Sequence, residues 1–146
     1  MGFRFSETMS GTWTRTDRTG ERRPIQFSVV ARSGPLGRFR ADKVARLTGT
    51  IDAEGLATRR EVTGTLVLKP FVGRVIRYEL DFTGDDGKRY RFAGQKDIRW
   101  LDPVRTWTEL PAEITDTEGA LVGRALTRFD LRRDSATFLW SFRPAS

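Results

Sequence analysis

Hydrophobic and polar residues alternate along most of this chain, and this period-two pattern predicts β-strands with one apolar and one polar face. The first segment shows the pattern clearly. Its apolar face carries Phe3, Phe5, Glu7, Met9, Gly11 and Trp13. The positions between them, from Arg4 to Thr14, are polar. A strand of this kind packs one face on a core and leaves the other in water.

Similar segments follow, separated by turn-forming residues. The pattern predicts further strands at Ile25–Ala31, Val44–Ile51, Glu61–Leu68, Arg74–Phe82, Lys88–Trp100, Arg105–Leu110 and Ala120–Leu131. Asp86-Gly87, between two alternating runs, is a strong hairpin signal. Near the C-terminus, Asp134 is a suitable cap for a short helix that carries Phe138, Leu139 and Phe142.

About eight to ten strands with regular turn signals fit a sandwich or an up-and-down barrel. The glycines decide between them, since five fall on the apolar parity of their strands: Gly11, Gly49, Gly64, Gly94 and Gly123. Inward glycines relieve crowding where a barrel wall bends. The prediction is therefore a single domain over residues 1–146, an all-β, antiparallel, lipocalin-like barrel with a short C-terminal helix.

The composition removes several classes of chemistry. Without cysteine or histidine, the chain can form no disulfide, no Cys/His zinc site and no Ser-His-Asp triad. We predict no cofactor and no metal site. No apolar run reaches the roughly 20 residues of a membrane helix, and no secretory signal is visible. These features favour a cytoplasmic protein, and the excess of arginine over lysine is typical of a GC-rich bacterial genome.

The net charge of +7 is compatible with a surface that binds nucleic acid. Arg77, Arg89, Arg91 and Arg99 lie on the polar parity of the central hairpin. A platform for single strands needs aromatic rings on that same exposed face, whereas here they lie on the opposite one. We therefore predict no nucleic-acid partner and interpret the arginines as a paired, solvated surface.

FSETMSG at Phe5–Gly11 is followed in order by TGT, IRYELDF, DDGKRYRFAGQKDI, RTWTELPAEITD and LTRFDLRRD with FLWSF. These segments resemble a small β domain found with cholesterol-oxidase-like flavoproteins of the GMC oxidoreductase group. The dinucleotide fingerprint Gly-x-Gly-x-x-Gly is absent. The resemblance therefore implies an accessory or stand-alone relative, with a flavoprotein oxidoreductase as partner, and it transfers no catalytic residue.

Gly11-Thr12-Trp13 has the Gly-x-Trp form that lipocalins and other calycins carry in their first strand, and the chain is similar to them in this respect. Either resemblance implies an apolar ligand such as a lipid, a sterol or a polyketide. The same motif also fits a tryptophan that simply plugs one end of a barrel.

Two charged residues lie on apolar faces. Glu7 stands between Phe5 and Met9, and Lys96 stands between Phe92 and Ile98. Because burying one charge alone is costly, we predict a Glu7–Lys96 ion pair inside the barrel. It would serve as a polar anchor for a ligand, as catalytic groups, or only as a buried pair that fixes strand register. Alternatively, both side chains reach the rim of the barrel and stay in water.

The candidate catalytic residues are Glu7, Lys96 and Tyr78. The candidate ligand-binding residues are Glu7, Met9, Trp13, Tyr78, Tyr90, Phe92, Lys96, Trp100 and Trp107. Three functions fit this set: a binder of an apolar small molecule, a cofactor-independent isomerase or cyclase, and a structural docking module with a filled barrel.

Overall fold

The computed structural model describes residues 2–17, 20–33, 44–69, 75–97, 109–129 and 143–145. The described residues form strands and turns. The strands are Gly2–Arg15 (β1), Arg22–Ser33 (β2), Val44–Ala53 (β3), Ala57–Lys69 (β4), Val75–Thr83 (β5), Arg89–Asp97 (β6), Glu109–Asp116 (β7), Leu121–Arg128 (β8) and Arg143–Ala145 (β9).

Each strand from β1 to β7 pairs antiparallel with the next, and β8 pairs back to β1. The strand β1 has two partners, because Arg4–Thr14 pairs with β2 while Ser10–Arg15 pairs with β8. This double pairing closes β1–β8 into an up-and-down barrel, which confirms the predicted fold class. The short β9 pairs with the start of β1. The predicted C-terminal helix, at residues 134–142, lies outside the described residues.

The strand parity predicts the core correctly. Side chains that alternate inward from the barrel wall are almost completely inaccessible to solvent, whereas their neighbours in sequence are exposed or partly buried. The largest of the fully buried side chains are Trp13, Phe27, Phe82, Phe92, Met9, Ile25, Leu47, Ile51, Leu66, Leu80, Leu110 and Ile114. Burial of these apolar side chains is the main stabilising contribution to the fold.

Four of the five inward glycines lie where the backbone of a neighbouring strand approaches closely, and Gly94 lies against the side chain of Leu110. A Cβ atom on Gly64 would collide with the carbonyl oxygen of Glu79 on the adjacent strand, β5. At Gly123, a Cβ would lie 2.8 Å from the indole ring of Trp13. These positions have no room for a side chain, so glycine permits the tight curvature of the wall.

The predicted strand at Arg105–Leu110 ends too early, because β7 runs from Glu109 to Asp116. Residues 105–108 lie outside the described part of the chain. The strand continues through Pro111, which lies just beyond the predicted end at Leu110. Its side chain is exposed, and it lies one residue beyond the last β6–β7 pair, Gly94 with Ala112. Proline is tolerated at such an edge position.

The outer wall carries paired charges, as expected for an arginine-rich surface. Arg91 Nε lies 2.8 Å from Asp81 Oδ1, and these residues are direct cross-strand partners. The guanidinium of Arg77 donates to Gln95 Oε1 at 3.0 Å. Arg99 lies outside the described residues. Exposed pairs of this kind contribute little to stability but satisfy the surface charge.

The two ends of the barrel differ in their connections. Segments 34–43, 98–108 and 129–142 are the three longest connections, and each joins strand ends at the end where β1 begins. We call this the long-connector end. The opposite end, where β1 finishes, has short turns at residues 54–56, 84–88 and 117–120. We call it the short-turn end.

Asp85 connects two of these short turns. Its carboxylate accepts hydrogen bonds from Thr58 N at 2.9 Å, from Thr58 Oγ1 at 2.7 Å and from Arg60 Nε at 2.9 Å. The hydrogen bond from the Thr58 side chain is the main cause that lowers the pKa of Asp85, followed by the Thr58 backbone and Arg60 bonds. The β3–β4 turn is thereby tied to the β5–β6 hairpin.

We expect Asp85→Asn to destabilise the fold at neutral pH, because an amide cannot accept all three bonds. The folded carboxyl has a lower pKa than the unfolded one, so its stabilisation is complete above about pH 5 and is lost as the pH falls through the folded pKa. Urea unfolding at several pH values should show that the free energy of unfolding is lower in the variant than in the wild type, and that this difference becomes smaller in acid. Glu118→Gln, a substitution in another exposed turn, is the control. If Asp85→Asn destabilises the fold no more than Glu118→Gln does, or by an amount that does not change with pH, the assignment is contradicted.

Candidate functional site

Three polar side chains converge inside the long-connector half of the barrel. Glu7 lies on the inner face of β1, Tyr78 on that of β5, and Lys96 near the end of β6. Strands β1 and β5 are on opposite walls, since each is four strands from the other in either direction around the barrel. The alternation of each strand therefore aims these groups into a shared interior.

Tyr78 interacts with both charged residues. Its hydroxyl donates a hydrogen bond to Glu7 Oε1 at 2.5 Å, across the barrel. Lys96 Nζ lies 5.4 Å from the centroid of the Tyr78 ring, a distance at which a cation is attracted to the ring face. The charge of Glu7 also favours the ammonium form of Lys96. The charge of Glu7 thus acts on Lys96, and the Tyr78 side chain interacts with both residues, while the Glu7–Lys96 ion pair itself stays a prediction.

Burial controls the protonation of this cluster. Lys96 is only 5% exposed, and desolvation lowers its pKa from the usual value, although the charge of Glu7 acts in the opposite direction. The pKa of Tyr78 is raised well above its ordinary value by burial first, then by the charge and the hydrogen bond of Glu7. Tyr78 therefore remains a protonated donor at neutral pH, and Lys96 is an amine whose charge is poorly solvated.

Below this cluster, the middle of the barrel is filled. Met9 and Phe92 are fully buried. Phe27 on β2 reaches across to the opposite wall, with its ring centroid 5.2 Å from that of Phe92 in an edge-on contact and 6.1 Å from that of Tyr78. Aromatic contacts across the barrel leave this level packed by side chains. Met9 and Phe92 thus form a floor beneath the polar cluster.

Two other predicted site residues lie at the short-turn end. Trp13 is fully buried there, and the guanidinium of Arg15 lies 5.8 Å from its ring centroid. Tyr90 donates to Asp86 Oδ2 at 2.5 Å, and burial together with this bond raises the pKa of Tyr90 to about 12. Both residues fill the short-turn end of the barrel and are not part of the Glu7 cluster. Trp100 and Trp107 lie outside the described residues.

Comparison of the chain with protein-family models, with curated proteins and with solved structures found no match to any of them. Within the described ranges, no helix has the length and apolar character needed to span a membrane. In the same part of the chain, His, Cys, Asp and Glu side chains form no group of three or more that could hold a metal ion. Functional conclusions therefore depend on the geometry of the barrel itself.

One buried polar residue, Thr127, was not predicted from the sequence. Thr127 is completely buried on the inner face of β8, and its hydroxyl donates to the Leu110 carbonyl at 3.4 Å. Its parity with Gly123 and Ala125 was a usable signal. Because its hydroxyl is already bonded to the wall, we assign it a structural role.

The outer wall has a groove where β6 and β7 separate. It encloses about 480 Å³ and is floored by small residues, Gly94, Ala112 and Ala125. The charged side chains around it belong to Arg77, Glu79, Glu113 and Arg124. These charges are engaged in part with one another, as Arg124 Nε lies 3.7 Å from Glu113 Oε2.

Proposed function

We propose that this barrel binds an apolar small molecule, of the size of a lipid, sterol or polyketide, that carries one hydroxyl or carbonyl group. The ligand occupies the long-connector end, with its polar group on Glu7, Tyr78 and Lys96. The observation that carries the proposal is the hydrogen bond from Tyr78 to Glu7 across an otherwise apolar interior, beside a buried amine.

The chemistry of the cluster selects a neutral polar group. Glu7 and Lys96 carry opposite charges, so a further ion would be repelled by one of them. A carbonyl oxygen can accept from the Lys96 ammonium, and a hydroxyl can also donate to the Glu7 carboxylate. A few convergent polar groups above an apolar floor are typical of small-molecule sites.

The position of the cluster also supports a binding role. Glu7 and Lys96 lie toward the end of the barrel where its three longest connections join the strands. Glu7 is only partly buried, so solvent reaches this member of the cluster, while Tyr78 and Lys96 are buried. The packed middle, by contrast, restricts a ligand to this end of the interior.

Prodan, a naphthalene ketone whose emission shifts to the blue in apolar surroundings, is a suitable probe. We expect saturable binding of one prodan per chain, with a blue-shifted emission. Lys96→Met should weaken binding at least about tenfold, because a hydrogen bond to a charged donor is lost. Tyr78→Phe should weaken it less, since Tyr78 mainly positions Glu7.

Lys88→Met is the matched control, because Lys88 lies exposed in the β5–β6 turn. It should bind prodan as the wild type does, with the fold of each variant checked by circular dichroism. Dehydroergosterol, a fluorescent sterol with a hydroxyl group, provides a second probe. If neither probe binds saturably to the folded wild-type protein, the binding function is wrong.

A second function is favoured by the packed middle of the barrel, which is the arrangement expected of a docking module. In that role the outer wall would attach to a partner, a flavin-dependent oxidoreductase according to the sequence resemblance. Failure of both probes, together with binding of such an enzyme that is lost in outer-wall variants such as Glu113→Lys, would favour this function over ligand binding.

A further inference from the structure

A hydrogen-bonding role alone does not explain why an amine, that of Lys96, is buried in the barrel. Lys96 is 5% exposed and lies on the inner wall among apolar side chains such as Ile76, its cross-strand partner. A threonine or glutamine would offer a polar contact to a ligand without burying a charge. An amine in an apolar pocket is instead the setting in which lysine acts as a nucleophile toward carbonyl groups.

We propose that Lys96 captures aldehydes and ketones covalently, by forming an imine between its Nζ and the carbonyl carbon of a ligand held at the long-connector end. This inference rests on the proposed binding function, and it narrows the ligand class to apolar carbonyl compounds.

The surroundings of Lys96 supply what this reaction needs. One side of the amine is bounded by the Tyr78 ring, with Nζ 5.4 Å from its centroid. The hydroxyl of that ring is hydrogen-bonded to Glu7 at 2.5 Å, so a carboxylate and a phenol are coupled at the same site. Such a pair can take up and return protons while the amine reacts. Burial lowers the pKa of Lys96, which increases the share of neutral, nucleophilic amine.

The step is a condensation and balances without an oxidant or a reductant. The neutral amine adds to the carbonyl carbon, and the carbonyl oxygen takes up a proton to give a carbinolamine. The nitrogen then loses its remaining proton, the oxygen leaves as water, and a carbon–nitrogen double bond remains. Glu7 and Tyr78 pass the proton from the nitrogen to the departing oxygen.

The test uses the full chain with 6-methoxy-2-naphthaldehyde and cyanoborohydride, which reduces an imine to a stable amine. Peptide mass spectrometry then locates the label. At neutral pH we expect at least about tenfold more label on Lys96 than on exposed Lys88, since the buried residue holds more neutral amine. Lys96→Arg should abolish the site-specific label, and Lys88→Arg should leave it unchanged. Glu7→Gln should slow the labelling of Lys96 through the loss of proton transfer, even though it also removes the charge that favours the ammonium form.

The corresponding alcohol, 6-methoxy-2-naphthalenemethanol, separates this inference from the binding function, because it has the same shape and no carbonyl. If the wild type binds the alcohol but the aldehyde labels its lysines equally or leaves Lys96 unlabelled, the imine is wrong and the binding function stands. If the alcohol does not bind either, binding itself fails. Circular dichroism of Lys96→Arg verifies that a lost label does not reflect unfolding. An effect of Glu7→Gln on labelling but not on alcohol affinity would identify a proton-transfer role.

Discussion

Gly64→Ala is expected to prevent stable folding, although it adds only one methyl group. A Cβ at this position overlaps the carbonyl oxygen of Glu79, and it would lie 2.8 Å from the carbonyl carbon and 3.0 Å from Cα of Leu80. These are backbone atoms of the paired strand, so no side chain can rotate away. The β4–β5 ladder would have to open, at an expected cost of at least about 3 kcal/mol.

Two controls isolate the cause of this effect. Gly87→Ala replaces a glycine of positive φ that has open space around it, and it should lose only about 1 kcal/mol through backbone strain. Thr63→Ala changes an exposed neighbour on the same strand and should be nearly neutral. Urea unfolding followed by far-ultraviolet circular dichroism measures all three. A Gly64→Ala protein as stable as Gly87→Ala would show that β4 and β5 are not so close.

Trp13→Ala should destabilise the protein by about 3–5 kcal/mol, the range for deleting a large aromatic side chain from a core. Trp13 is 1% exposed and fills the short-turn end of the barrel, against Gly123 of β8. Removing the indole leaves a cavity between β1 and β8, the two strands that close the barrel. The loss should appear as a lower urea midpoint by circular dichroism.

Trp13→Phe distinguishes packing from hydrogen bonding. The indole Nε1 of Trp13 is buried and has no hydrogen-bond partner among the described residues. Phenylalanine therefore removes some volume but also removes an unpaired donor, and we expect it to cost well under half the loss of Trp13→Ala. Equal losses for both variants would indicate that the indole nitrogen has a partner that stabilises the fold.

The sequence predicted the barrel because its evidence is local. Alternation identifies an inner face one strand at a time, and Phe27, Leu80 and Phe92 all lie inside as expected. The inward glycines could be placed by the same parity. The end of β7 was predicted at Leu110 but lies at Asp116, because whether a strand tolerates Pro111 depends on where β6 stops pairing, which the local pattern does not show.

The candidate site was only partly predictable, because it depends on distances across the barrel. Parity placed Glu7, Tyr78 and Lys96 inside, but it carries no information on the height of each residue along the barrel axis. Strand register fixes that height, and it brings Tyr78 into contact with the acid and the amine but places Tyr90 at the opposite end. Parity alone therefore merged residues from two separate ends into one expected pocket.

The strand β1 can pair with its second partner, β8, only after nearly the whole barrel has been synthesised. Ser10–Arg15 of β1 leaves the ribosome long before Leu121–Arg128 of β8, with which it pairs. Until β8 emerges, the nascent sheet has two unprotected edges that can pair with other chains. A contact between residues so far apart in sequence also slows folding. Interruption of translation before β8 would therefore release an open, aggregation-prone sheet. The last strand of the barrel thus protects the edge of the first from pairing with other chains.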